Sequence, residues 1–226
     1  MPIEEYFGEW SRFLDLKETD KIVRSLSSKH KVLCPRMQDI FKAFKQCSPS
    51  NLRLVLLAQD PYPTLRKGNP TATGLAFANA KDTPEDSYSQ SLDVLKESVI
   101  DYTIPHRTIT FDPSLEKWAM QGVLLLNSAL TCEVGKPGSH ALLWRPFTKT
   151  LLTNLQYHSG IVYVLMGTAA QSFEPYINTK LNHVVRIRHP AWYARQKVKM
   201  PSSVWKEINE VLINAEGQGI EWFKEV

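Results

Sequence analysis

Cysteine is scarce in this chain: its 226 residues include three, Cys34, Cys47 and Cys132. An odd, widely spaced set offers no disulfide framework and no zinc-ligand spacing. Three thiols also fall short of a four-cysteine iron–sulfur cluster. Free thiols in a reducing compartment are expected, with the cytoplasm as the location. No apolar run approaches a membrane span, and the opening Met1-Pro2-Ile3-Glu4-Glu5 is acidic where a secretory signal would be basic. Internal repeats, low-complexity tracts and linker-like stretches are missing too, so residues 1–226 are read as one domain with a substantial core. The hydrophobic share of 43% is ordinary for a globular protein.

Acidic residues have their own gap. None lies between Glu174 and Glu207, while Lys180, Arg186, Arg188, Arg195, Lys197, Lys199 and Lys206 all do. Trp192 and Tyr193 sit inside that stretch, directly after His189-Pro190. The net charge of +4 does not by itself imply nucleic acid. Basic residues interleaved with aromatics, however, suit a surface that tracks a phosphodiester backbone and stacks or wedges against bases. A solvated basic face is the competing reading, and the adjacent candidate histidine weighs against it.

Four apolar runs each end in polar residues: Leu52–Leu57 into Gln59-Asp60-Pro61-Tyr62, Val123–Leu126 into Asn127, Ile161–Met166 into Gly167-Thr168, and Val184–Ile187 into His189-Pro190. Short continuous runs suit strands buried on both faces of a parallel sheet. Helical spacing is read over Glu4–Leu16, Met37–Cys47, Asp86–Ile100, Pro146–His158 and Pro201–Ala215. A further helix is expected from an Asp112-Pro113 cap to Gly122, and a short extended piece at Gly74–Ala78 within the long loop after Pro61. The fold class is α/β, three-layered α/β/α, with a central four-stranded, mainly parallel sheet. In such sheets ligands bind beyond the carboxyl ends of the strands, where Asp60, Asn127 and His189 would meet.

Each of these residues has a plain alternative. Asp60 before proline can cap a turn, or it can orient water and stabilise a developing cation. Asn127 can satisfy a backbone group, or present a donor and an acceptor to a nucleobase edge. His189, among arginines, should favour its neutral form, which can still donate to a developing anion. Gly167 and the amides after it can hold a phosphate or simply make a tight turn. Tyr62 and Phe77 taken singly read as core. The set is what points to chemistry.

Ala58-Gln59-Asp60-Pro61-Tyr62, Gly74-Leu75-Ala76-Phe77, Leu124-Leu125-Leu126-Asn127-Ser128-Ala129-Leu130-Thr131, Gly138-Ser139-His140-Ala141, Gly167-Thr168-Ala169-Ala170-Gln171 and His189-Pro190 occur in an informative order and spacing. Together, across essentially the whole chain to Ile220-Glu221-Trp222, they resemble the motifs of family 1 uracil-DNA glycosylases. The resemblance implies that Asp60 orients water and stabilises an oxocarbenium-like sugar, and that His189 hydrogen-bonds uracil O2. It implies that Asn127 reads the O4 and N3 edge, Phe77 stacks on the ring, Tyr62 excludes the thymine methyl, and Gln59 contributes to the base pocket. Gly167, Thr168, Pro190, Ala191, Trp192, Tyr193 and Arg195 fall on the DNA-contacting side. The implied partner is uracil-containing DNA, single- or double-stranded. The implied protein is a monomer, with no metal or other cofactor.

The chain also departs from the family pattern. Pro63 stands where the family has His, and Thr73 replaces a His before Gly74. The loop between them, with Arg66 and Lys67, is lengthened. The proline-rich, serine-bearing loop survives only as Thr83-Pro84 and Ser87 to Ser91. Ala191, Trp192, Tyr193 and Ala194 replace a Ser-Pro-Leu-Ser run, which makes Tyr193 or Trp192 the candidate wedge for the gap left by a flipped base. Two other readings stay open: a non-catalytic DNA-binding relative, and a hydrolase of small molecules at the same crevice. Strand preference and any inhibitor or repair partner are also open.

Overall fold

The computed structural model describes residues 3–28, 32–102 and 109–225. Its centre is a sheet of four strands, β1 (Leu54–Ala58), β2 (Val123–Asn127), β3 (Val162–Met166) and β4 (His183–Ile187). All neighbouring pairs are parallel, in the order β2-β1-β3-β4. Every residue of β1, β2 and β3 is buried, so both faces of those strands are covered. That is why they read as unbroken apolar runs instead of alternating ones. Edge strand β4 is less covered, and its exposed Arg186 pairs with Glu174 at 2.7 Å.

The main helices are α1 (Leu16–Ser27), α2 (Gln90–Tyr102), α3 (Ala141–Leu155), α4 (Pro190–Gln196) and α5 (Ser203–Glu216). Helix α5 packs on β3 and β4, α2 packs on α4 and α5, and α1 packs on α3. The N-terminal aromatics form a core knot. Phe7 and Trp10 meet Phe44 edge-on at 5.9 and 5.2 Å, and Phe41 meets Trp144 at 6.0 Å. A second knot joins Trp118, Trp205 and Trp222, with Trp118 Nε1 donating to the Trp222 carbonyl at 2.8 Å. Each such aromatic pair contributes roughly 0.5–1.5 kcal/mol beyond its buried area.

Several boundaries differ from the sequence expectation. The first helix is broken into Ile3–Phe7 and a 3-10 turn over Gly8–Phe13, and Leu14 is extended. Asp15 then caps α1, its carboxylate accepting from the Glu18 amide at 3.0 Å, so a new helix starts where the old one was expected to end. Helix α3 begins at Ala141 and carries Pro146 inside it. The bond that proline cannot make would have gone to Leu142, whose side chain is 87% exposed, so that turn lies on the solvent side. Asp112 caps only a turn, accepting from the Ser114 amide and hydroxyl, and the helix there runs over Glu116–Met120. Gly74–Ala78 is a turn, not a strand, with Phe77 in the left-handed region at φ +65°.

The register aligns the strand ends. Ala58 sits beside Asn127, Leu57 beside Leu165, and Met166 beside Ile187. The residues that leave each strand therefore emerge together along one edge of the sheet. No helix among the described residues is long and apolar enough to cross a membrane.

Candidate active site

A cleft of about 800 Å³ opens at that edge. Gln59, Asp60, Tyr62, Phe77 and Asn127 line one side of the sequence order, and Gly167, Thr168, His189, Ala191, Trp192 and Arg195 the other. Of the expected site residues, two do not line it. Pro190 is buried as the first residue of α4, and Tyr193, 8% exposed, belongs to the hydrophobic core.

Asp60 is half-buried two residues beyond β1. Its carboxylate accepts the backbone N–H of Gly138, which enters from the loop before α3. Burial raises its pKa above the usual carboxylate range, and the hydrogen bonds from Gly138 and the Gln59 side chain partly oppose that rise. The strand-end backbone is clamped from β2: the Gln59 carbonyl accepts from Ser128 Oγ and from the Ala129 amide, both at 2.9 Å. The capping role open to Asp60 from sequence is thus real, but it is exercised across 78 residues and inside the cleft.

His189 is the N-cap of α4, with Nδ1 accepting from the Ala191 amide at 3.2 Å. With Nδ1 accepting, the neutral ring carries its proton on Nε2, leaving Nε2–H as a donor. Burial and the nearby Arg195 charge push the His189 pKa down to about 4. The ring is therefore neutral at physiological pH. Gly167 makes room for it: a Cβ there would lie 2.9 Å from the His189 Cβ, and the backbone has φ +89°.

Asn127 is 8% exposed, and its side chain has no hydrogen-bond partner among the described residues. Asn127 lines the cleft, so the donor and acceptor of its amide are both open to a ligand there. Phe77 lies beside the His189 ring, centroids 5.4 Å apart, and its carbonyl accepts from Tyr62 Oη at 2.7 Å. That bond helps hold Phe77 in its left-handed conformation, which a phenylalanine adopts only when its surroundings over-determine it.

At the rim the Arg188 guanidinium lies over the Trp192 ring at 4.1 Å, and both line the cleft. Sequence reasoning assigned no role to Gly138 or Gln171, and placed Arg188 only within the basic stretch around His189. Gln171 Nε2 donates to the carbonyls of Leu165 and Ile187 at 3.4 and 3.1 Å, tying the ends of β3 and β4 together beneath His189. An amide three residues into a Gly-Thr turn was the available signal for it. At the departures, the Pro63 carbonyl accepts from the Gly135 amide at 2.7 Å, and the Thr73 hydroxyl is buried without a partner. Among the described residues no group of three or more His, Cys, Asp or Glu is placed to share a metal ion.

The model of the uracil DNA glycosylase superfamily matches residues 44–213. The chain belongs to that superfamily. It is 33% identical over 221 residues to the uracil-DNA glycosylase of Tolumonas auensis, spanning 96% of this chain and 95% of that protein. A similar relative is the uracil-DNA glycosylase of Yersinia pestis, 33% identical over 208 residues, 91% of this chain and 88% of that protein. The fold resembles the crystal structure of mimivirus uracil-DNA glycosylase, with a TM-score of 0.80 at 24% identity over 95% of this chain and 86% of that one. A mimivirus variant in complex with UGI gives 0.79 at 22% identity, over 95% and 87%. The span matched to the superfamily contains every cleft residue from Gln59 to Arg195.

Proposed function

We propose that this protein is a uracil-DNA glycosylase that hydrolyses the bond between uracil N1 and the deoxyribose, leaving an abasic site for base excision repair. The observation that carries the chemistry is the pairing, in one cleft, of a neutral Nε2–H donor on His189 with the Asp60 carboxylate.

Breaking an N-glycosidic bond sends the electron pair to the base and leaves positive character on the sugar. A neutral imidazole is matched to the first demand. It donates a hydrogen bond to uracil O2 as charge builds there, without giving up its proton to a weakly basic leaving group. Arg188 and Arg195 at the cleft add a positive field that favours the departing anion. Asp60 meets the second demand, stabilising the cationic sugar and directing a water to C1′. Water adds to C1′ and gives its proton to Asp60; that proton then passes to solvent, the uracil anion takes one up, and the products are uracil and an abasic nucleotide.

Recognition falls to the remaining residues. Asn127 completes its unpaired amide on the O4 and N3 edge, Phe77 offers its ring for stacking, and Tyr62 crowds the C5 position, where thymine carries a methyl. A base inside a duplex has to leave its stack at a cost of roughly a few kcal/mol. We assign the gap to Trp192, and its position in the cleft lining under Arg188 supports that role. Incubation with two oligonucleotides that differ only in uracil against thymine tests the reading. Alkali-labile sites in the uracil strand alone support it, and sites in neither strand sink it.

A further inference from the structure

A second groove of about 630 Å³ adjoins the cleft, and Ala72 lines both. One wall is the hairpin formed by Leu65–Arg66 and Asn69–Pro70, which lies in the segment lengthened between Pro63 and Thr73. Five cationic side chains line the groove, Arg36, Lys42, Arg66, Lys67 and Lys81, against two carboxylates, Asp39 and Asp82. Lys42 is paired with Glu116 at 2.8 Å, outside the groove lining. Among the described residues, the side chains of Arg66, Lys67 and Lys81 have no ion pair or hydrogen bond.

The hairpin is built to hold its charges in place. Arg36 docks it by donating to Asn69 Oδ1 at 2.5 Å, and Thr64 Oγ1 donates to Thr71 Oγ1 at 3.1 Å across its base. Its two-residue turn is Lys67-Gly68, both left-handed at φ +48° and +79°. The first turn position favours Asn, Asp or Gly, because a side chain with a normal Cβ is strained there. A lysine at that position gives up local stability to put a cation at the tip.

We infer that this groove binds the phosphodiester backbone of the DNA strand on one side of the excised nucleotide, a contact added by the inserted hairpin. Three points support a polyanionic strand: the groove meets the cleft at Ala72, its lining carries five cations against two carboxylates, and three of those cations lack partners among the described residues. The inference rests on the proposed action on DNA.

The test uses Arg66→Ala/Lys67→Ala, two residues outside the catalytic machinery, with Arg66→Lys/Lys67→Arg as the charge-preserving control. Binding to a fluorescein-labelled, uracil-free single strand is measured across salt concentrations. Losing two phosphate contacts should lower the slope of log affinity against log salt by about 1.4 and weaken binding about tenfold or more at 0.1 M salt. The control should keep the wild-type slope. Excision is then measured on uracil oligonucleotides extended on the 5′ side only or the 3′ side only. One extension should lower KM for wild type but not for the alanine variant. An unchanged salt slope, or equal benefit from both extensions in the alanine variant, overturns the groove. Failure of wild type to excise uracil from any strand would overturn the functional reading, and the binding slope would still judge the groove.

Discussion

Gly167 and His189 are in such close approach that a Cβ on the glycine would lie 2.9 Å from the Cβ of the histidine. The end of β3 thereby sets how deep the imidazole sits in the cleft. Gly167→Ala must displace His189 or strain a backbone at φ +89°. A displacement near 1 Å costs about 100-fold in rate, so single-turnover excision should fall roughly 10- to 100-fold. Wild-type rates in the alanine variant would show that the approach does not matter.

The His189 ring should titrate far from the ordinary histidine range. Its pKa of about 4 in the fold lies below the value near 6.5 of an unfolded chain. Between those values the unfolded chain takes up a proton that the fold refuses. Stability is thus lost as pH falls from about 6.5 to about 4, and the loss levels off below that. His189→Gln should remove this component of the pH dependence. Imidazole NMR is the direct check, and a midpoint near 6.5 would contradict a neutral, desolvated donor.

Neighbouring aromatics in α4 should separate cleanly. Trp192 lines the cleft, whereas Tyr193 is in the core. Trp192→Ala should slow excision from duplex more than from single strands, with little effect on folding. Tyr193→Ala should mainly destabilise, by about 3–5 kcal/mol as for other large aromatic truncations, with strand preference retained. Thermal melts and a duplex-to-single-strand rate ratio distinguish the two. The reverse pattern would move the wedge to Tyr193.

Legibility in the sequence followed the physics of burial. Leu54 to Leu57 and Val123 to Leu126 show as strands because both faces are covered, and the polar residues just past them mark the ligand edge. Helix α1 is hidden in the sequence because the aromatics before it carry a louder periodic signal than Ile22 and Leu26, and because the Asp15 that caps it sits between Leu14 and Leu16, which prolong that apolar pattern. Helix α4 is absent from the helices expected from sequence, although Pro190 in its first position and His189 as its cap are start signals. What sequence does not carry is the pairing of distant backbone groups with side chains. The Gly138 amide on Asp60 and the Gln171 bridge between β3 and β4 exist only once the sheet is assembled.

Asp60 carries the central claim, because its burial makes it costly to the fold and useful to the chemistry. A carboxyl whose folded pKa is raised loses stability as pH rises through that pKa. Asp60→Asn should therefore raise the melting temperature at pH 7, by about 2–4 °C for each kcal/mol released, and the gain should vanish in acid. The decisive measurement is abasic-site formation from a uracil oligonucleotide by wild type, Asp60→Asn and His189→Ala, with melts run alongside. The account predicts excision by wild type, a fall of about 100-fold or more in both variants, and an Asp60→Asn protein at least as stable as wild type. Folded wild-type protein that binds the strand and leaves every uracil in place would contradict it.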